Sequence, residues 1–187
     1  GNDLHKLGMR SSMTSELVFD DCEIPEENLI GFEGAGFFMA LQTVEWDRSA
    51  LLAPLLGQME LAIRNACRYA SERKQFGRPI AAFPATKQKI ANMKIFLEAA
   101  RPLVYRIAWC KDQGQSVNHL EASVAKLFLG DWSLAPTNDA LLLYGGYGYT
   151  AEYGVERMLR DGRLAAIGGG TSDIQKMSIS KLMDGGL

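Results

Sequence analysis

The stretch Leu52-Ala53-Pro54-Leu55-Leu56-Gly57-Gln58-Met59-Glu60-Leu61-Ala62-Ile63-Arg64-Asn65-Ala66-Cys67-Arg68-Tyr69-Ala70 decides the fold. Leu52, Leu55, Leu56, Met59, Ile63, Ala66 and Ala70 recur at steps of three and four, which lines one face of an α-helix, whereas a half-buried strand would alternate. Because the helical period sets in at Phe37, the pattern predicts one long helix ending near Arg73. Gly77, Pro79 and Pro84 interrupt the chain beyond it. Pro84 suits a first helical position, where the missing N–H would have no partner anyway. A second stripe, Ile90, Met93, Leu97, Ala100, Val104 and Ile107, runs to Gly114. A third, Leu120, Val124, Leu127, Phe128, Leu134, Ala135, Leu141 and Leu142, stops at Gly145-Gly146. A short helix is expected over 155–160 and a last one over 173–183, with Ser172 as cap and Gln175 at capping-box spacing. Each helix has one apolar face to bury, so the expected fold is mainly α, an antiparallel four-helix bundle. Pro54, Pro102 and Pro136 fall inside these helices at about 3 kcal/mol each relative to alanine, and predict local kinks.

Upstream the pattern differs. Glu16-Leu17-Val18-Phe19-Asp20 is a β-prone run closed by acidic turn residues, followed by Pro25 and a glycine-rich stretch from Gly31 to Gly36. It reads as a short β remnant at the N-terminus, one or two strands and a linker over residues 1–34, ahead of a helical domain over 35–187.

The chain of 187 residues is 47% apolar and 22% charged, enough to bury a core. Its 20 Lys and Arg against 22 Asp and Glu leave a net charge of -2, no global field for nucleic acid or an anionic membrane. The longest apolar stretch, Ser49 to Ile63, is interrupted by Gln58 and Glu60 and falls short of the roughly 18 apolar residues of a membrane span. Cys22, Cys67 and Cys110 are odd in number and widely spaced, which points to buried or half-buried free thiols in a reducing compartment rather than disulfides or zinc. The start Gly1-Asn2-Asp3 lacks Met and any apolar leader, and reads as that of an excised fragment.

Four segments have the chemistry of a site. Ser71-Glu72-Arg73-Lys74-Gln75-Phe76-Gly77-Arg78-Pro79-Ile80 sets three cations and an aromatic at a helix end turning on glycine; forked guanidinium donors suit a phosphate diester, and the bland reading is a solvated helix terminus. Gly145-Gly146-Tyr147-Gly148-Tyr149 lets a ligand approach the backbone, or is a helix stop. Gly168-Gly169-Gly170-Thr171-Ser172-Asp173 opens a helix whose free N–H groups attract phosphate, or is a loop with a cap. Glu45-Trp46-Asp47-Arg48 pairs carboxylates with a guanidinium: a dry carboxylate serves as a general base, a wet one as half of a surface ion pair. His5 and His119 have no metal-ligand spacing, and no metal site is expected.

In this order, these segments resemble the C-terminal half of the acyl-CoA dehydrogenase family. The resemblance also takes in Leu7-Gly8-Met9-Arg10-Ser11-Ser12, Leu17-Val18-Phe19-Asp20-Asp21 and Arg160-Asp161-Gly162-Arg163, and so spans essentially the whole chain. It implies the end of a β-domain followed by a C-terminal helical bundle, the amino-terminal helical domain lying outside the chain. It further implies FAD as cofactor, an acyl-CoA or acyl-carrier-protein substrate, electron-transfer flavoprotein as electron acceptor, and a homo-oligomer, dimer or tetramer, with residence in the bacterial cytoplasm or the mitochondrial matrix. Under this resemblance Arg73, Lys74, Gln75 and Phe76 contact FAD across a dimer, Gly145 and Gly146 lie beside its adenosine, and Thr171, Ser172 and Asp173 meet it from the last helix.

Most of the family has its catalytic glutamate in Tyr-Glu-Gly-Thr before that helix; here Gly169 stands in its place. A minority branch takes its base from the long helix immediately before an arginine. That position is Asp47, before Arg48. The resemblance thus makes Asp47 the base that abstracts the α-proton while the β-hydride passes to flavin N5, with Glu45, Arg48 and Gly170 as substrate contacts. Glu45 is the alternative acid, turned by about 200° from Asp47 on a helix. Family glutamines that contact FAD are replaced by Pro84, Leu142 and Asp173, and a carboxylate at a pyrophosphate repels it. Three other readings stay open: a non-catalytic partner in a mixed oligomer, a helical interaction module, and a related oxidase or dehydrogenase of natural-product assembly.

Overall fold

A computed structural model describes residues 1–115 and 118–184. Helix α1 runs over Gly36–Ala50 and α2 over Ala53–Glu72. A two-stranded antiparallel ladder follows, β1 Lys74–Gln75 against β2 Arg78–Pro79. Helix α3 spans Pro84–Asp112, α4 His119–Trp132, α5 Leu134–Tyr144, α6 Val155–Gly162 and α7 Ser172–Asp184. α1 with α2, α3, and α4 with α5 are the long rods of the bundle, closed by α6 and α7. No helix among the described residues is long and apolar enough to cross a membrane.

The first two stripes are buried as their spacing requires. Leu52, Leu56, Met59, Ala66 and Ala70 from the first meet Met93, Leu97, Ala100, Val104 and Ile107 from α3 in two adjoining clusters. Each leucine, methionine, valine or isoleucine among them gains about 1.5–3 kcal/mol on leaving water, while the alanines let the helices approach, so these faces dominate the packing.

The prolines correct the expected helix lengths. The long helix is two, separated at Leu51–Leu52, because Pro54 lies in the first turn of α2 where it lacks no useful bond. The third stripe is also two helices, divided at Ser133, with Pro136 in the opening turn of α5. Only Pro102 lies inside a helix, and α3 continues through it.

The buried face of α4 differs from the stripe as well. Val124 is exposed, and Ala122, Ser123, Ala125, Lys126, Leu129 and Gly130 are buried instead. α4 is enclosed by α1, α3 and α7. Small residues permit that close approach: a Cβ on Gly130 would stand 2.7 Å from the Ala165 carbonyl oxygen.

Residues 1–35 are almost wholly exposed. Their β character is an extended pairing below a regular ladder, in which Leu4 N–H donates to Thr14 O at 2.8 Å and the Gly1 ammonium to Glu16 O at 2.8 Å. The ladder of the described residues is the β1–β2 hairpin. Cys22 and Cys67 are exposed and Cys110 is half-buried, so the thiols are free but lie less deep than expected.

Candidate functional site

Two separate cavities gather the candidate residues. The first, about 250 Å³, lies where α1 gives way to α2 and faces α4 and the glycine loop before α7. Its walls are largely apolar, with Leu51, Leu52, Pro54, Leu55 and Leu164. Asp47, Arg48, Lys126 and Asp161 supply its charge. Asp47 and Arg48 sit in the last turn of α1, and Gly168 and Gly169 complete the lining.

The loop is held from three sides. Arg48 Nε donates to Gly169 O at 2.9 Å. Gln175 Nε2 reaches back from α7 to Gly169 O at 3.2 Å and to Gly170 O at 3.4 Å. Lys126 Nζ, from α4, donates to Gly170 O. Gly169 and Gly170 have φ of 67° and 102°, the left-handed region that glycine enters without a Cβ penalty. A Cβ on Gly169 would meet only the Arg48 Cγ, at 3.7 Å. Burial pushes the Lys126 ammonium below its ordinary range, Arg48 adds to this by like charge, and Asp131 opposes it.

The expected capping box is not formed. Thr171 caps α7, its carbonyl accepting from Gln175 N–H at 3.0 Å and its hydroxyl from Ile174 N–H at 3.5 Å. Ser172 is already in the helix, and its hydroxyl donates to Asp131. The Gln175 side chain is fully buried against the loop carbonyls, with Oε1 lacking a partner. A capping box needs Ser at N-cap, and here the helix begins one residue early.

A wall of the first cavity comes from the far end of the chain. Arg160 Nη1 donates to Leu7 O at 2.9 Å, and Met9 N–H donates to Asp161 Oδ1 at 2.6 Å. Gly8 lies flat on this turn; a Cβ there would run into the Arg160 carbonyl and stand 2.7 Å from the Asp161 nitrogen. Met9 and Asp161 both line the cavity.

The second cavity, about 550 Å³, is lined by Arg73, Gln75, Leu142, Gly145, Gly146 and a group of tyrosines. Tyr69 stacks on Tyr144 at 4.0 Å, and the Arg73 guanidinium lies over the Tyr147 ring at 5.4 Å. Nothing stands within 4 Å of where a Cβ would be on Gly145 or Gly146, so their backbone is open to a ligand. Phe76 and Gly77 form the two-residue hairpin tip with φ of 50° and 77°, and Phe76 is 89% exposed. A bulky residue held in that region is strained by about 1–3 kcal/mol.

The candidates therefore divide. Asp47, Arg48 and Gly169 share the first cavity, beside which Gly170 lends its carbonyl. Arg73, Gln75, Gly145 and Gly146 share the second. Lys74 and Phe76 project from the hairpin outside it, and Pro84 is the first residue of α3. Asp173 is exposed and 3.7 Å from Lys176. Glu45 and Trp46 belong to α1, but their side chains lie outside the described residues. Lys126 and the Met9–Asp161 contact were not legible in the sequence; a lysine amid Ala122, Ala125 and Gly130 was the one available signal.

Residues 34–183 match the family model "Acyl-CoA dehydrogenase, C-terminal domain". An acyl-CoA dehydrogenase of Bacillus subtilis is 45% identical over 100% of this chain and 49% of its own length. The solved prolyl acyl carrier protein oxidase AnaB superposes with a TM-score of 0.91 at 35% identity, over 98% of this chain and 48% of that one. PigA, solved with FAD and proline, gives 0.90 at 32% identity over the same shares, 98% and 48%. The chain spans about half the length of the relatives it matches.

Proposed function

The chain belongs to the acyl-CoA dehydrogenase family, as its C-terminal domain, and on that premise we propose that the intact protein is an FAD-dependent acyl-thioester dehydrogenase with Asp47 as its base. The observation that carries this reading is that Asp47, Arg48 and Gly169 line one cavity, with Arg48 bonded to Gly169 O at 2.9 Å. Both places from which the family draws its acid, the long helix and the loop before the last helix, thus open on the same space, where Asp47 stands at the first and Gly169 at the second; Asp161, the other carboxylate of the lining, accepts from Met9 N–H. Apolar walls suit an acyl chain and limit water around the acid.

The residues of the second cavity fit FAD. A guanidinium fork, an amide and two glycines with open space above them are the means of holding a diphosphate and letting a ring system lie against backbone. Arg73, Gln75, Gly145 and Gly146 would hold it there, with Leu142 as an apolar wall where the family has glutamine. Asp173 lies outside the second cavity and is exposed, 3.7 Å from Lys176, whose cation offsets part of the repulsion expected of it. When bound, the flavin supplies the acceptor for the β-hydride. The chain's own part is to hold the acyl group, exclude water and take the α-proton onto an Asp47 carboxylate oxygen, with Arg48 keeping the loop in place. Glu45, Arg48 and Gly170 remain our substrate-side assignments.

Thr171 and Ser172 stand at the loop, away from the residues of the second cavity. One FAD that bridges two copies would use both sets, in keeping with the dimer or tetramer that the resemblance implies. We take residues 1–34 as the end of a preceding β-domain and 35–187 as the bundle, place the protein in the cytoplasm of a bacterium, and assign electron-transfer flavoprotein as acceptor. The likeness to AnaB favours a second reading, a carrier-linked acyl group and oxygen as acceptor. Anaerobic flavin bleaching by acyl-CoA and acyl-carrier thioesters, in wild type and Asp47→Asn, tests both. Bleaching lost in the variant alone supports the base, bleaching kept in it overturns Asp47, and peroxide release in air identifies an oxidase.

A further inference from the structure

We propose that Lys126 is a positioning residue for this reaction, fixing the glycine loop 168–170 against the helix that holds Asp47. The inference rests on the reading of the first cavity as the acyl-thioester site, and deepens it. Lys126 is 3% exposed. Its ammonium donates to Gly170 O, and among the described residues no carboxylate forms an ion pair with it. A buried ammonium without a paired anion is costly, and an apolar side chain of similar length would fill the same space without that cost. What the ammonium adds is the bond to the loop.

That bond matters because the loop has little rigidity of its own. Gly168, Gly169 and Gly170 have no side chains to pack, and without a Cβ their backbone is free to leave the φ of 67° and 102° that the last two adopt. Orientation of the two peptides is left to three donors on three helices. Arg48 takes Gly169 O from α1, Gln175 takes both carbonyls from α7, and Lys126 takes Gly170 O from α4. Arg48 is the neighbour of Asp47, so its bond moves with the base. Lys126 is anchored in a different, enclosed helix and sets where the loop stands relative to α1. Gly168 and Gly169 wall the cavity in which the acid must meet the α-carbon, and a reacting geometry displaced by about 1 Å loses roughly 100-fold in rate.

The test compares full-length flavoprotein as wild type, Lys126→Met and Lys126→Arg. One readout is the limiting rate of anaerobic flavin reduction by straight-chain acyl-CoA thioesters, normalised to bound flavin. The other is amide exchange of peptides covering residues 164–176, which needs no substrate. In Lys126→Met, flavin reduction slows roughly 10- to 100-fold with little change in the half-saturating thioester concentration. Exchange quickens in the loop alone. Lys126→Arg, which keeps a cationic donor, recovers part of both. Wild-type rate per flavin in Lys126→Met, or quickened exchange spread over the whole bundle, overturns the proposal. A wild-type flavin that no thioester bleaches removes the assigned reaction; loop-confined quickening in Lys126→Met would still support the clamp, and unchanged exchange would overturn it.

Discussion

Arg48 Nε donates to the carbonyl of Gly169 at 2.9 Å across 121 residues of sequence. The helix that bears Asp47 is thereby tied to the residue that stands where most of the family has its acid. The pair joins the last turn of α1 and the glycine loop as two walls of one cavity, and on the proposed reading Asp47 is the base of that site.

Asp47 is one methylene shorter than glutamate, which sets a distance problem that can be tested by lengthening it. Asp47→Glu is expected to raise the rate of anaerobic flavin reduction in the full-length protein, by up to roughly 100-fold if reach is what limits it. Asp47→Asn is expected to lower it by about 10² to 10⁴, the usual worth of a general base. Stopped-flow bleaching of the flavin measures both. A slower Asp47→Glu would mean that the cavity is closed around the shorter acid.

Gly8 touches the backbone of α6 with no room for a methyl group. Gly8→Ala is expected to destabilise the protein by about 1–3 kcal/mol, since a carbonyl cannot rotate aside as a side chain does. The variant should also release Met9 from Asp161 and loosen one wall of the cavity. Urea unfolding gives the stability, and wild-type stability in Gly8→Ala would refute the docking of residues 7–9.

Arg73 is the one guanidinium that lines the second cavity. Arg73→Ala is expected to weaken FAD retention by roughly 10- to 100-fold, which corresponds to a charge-assisted hydrogen bond of about 1.5–3 kcal/mol. Flavin content after dialysis, read from absorbance, decides it. An unchanged content would place the diphosphate elsewhere.

Lys126 titrates below the ordinary lysine value of 10.5 because burial disfavours its charged form. Between its lowered folded value and 10.5 the unfolded chain binds more protons than the folded one, so this residue makes stability rise with pH across that window. Tyr69 and Tyr144 act in the opposite sense, because burial raises them above 10.0 and folding then retains protons that the unfolded chain loses. The difference in unfolding free energy between wild type and Lys126→Met cancels the tyrosines. That difference is expected to shift in favour of wild type as pH climbs toward 10.5. A pH-independent difference would contradict the burial of a titrating ammonium.

Much of the bundle was legible. The stripes on α2 and α3 are buried as their spacing requires, and Pro84 opens α3 as proline at a first turn should. The α4 stripe failed because a helix enclosed on several sides obeys no single apolar face; Lys126 and Ser123 are buried there while Val124 is exposed. Pro54 and Pro136 are helix starts rather than the kinks the stripes imply, since a break of one or two residues is invisible to a period that stays in phase.

By itself the sequence determined the helices, the glycine breaks between them and the residue types of the site, because these depend on neighbours within a turn or two. The tertiary structure decided which of those residues meet. Met9 reaches Asp161 across 152 positions and Lys126 reaches Gly170 across 44. Such pairs are set by the packing of whole helices, whose relative placement minimises exposed apolar surface over the entire domain, and no local spacing encodes that sum.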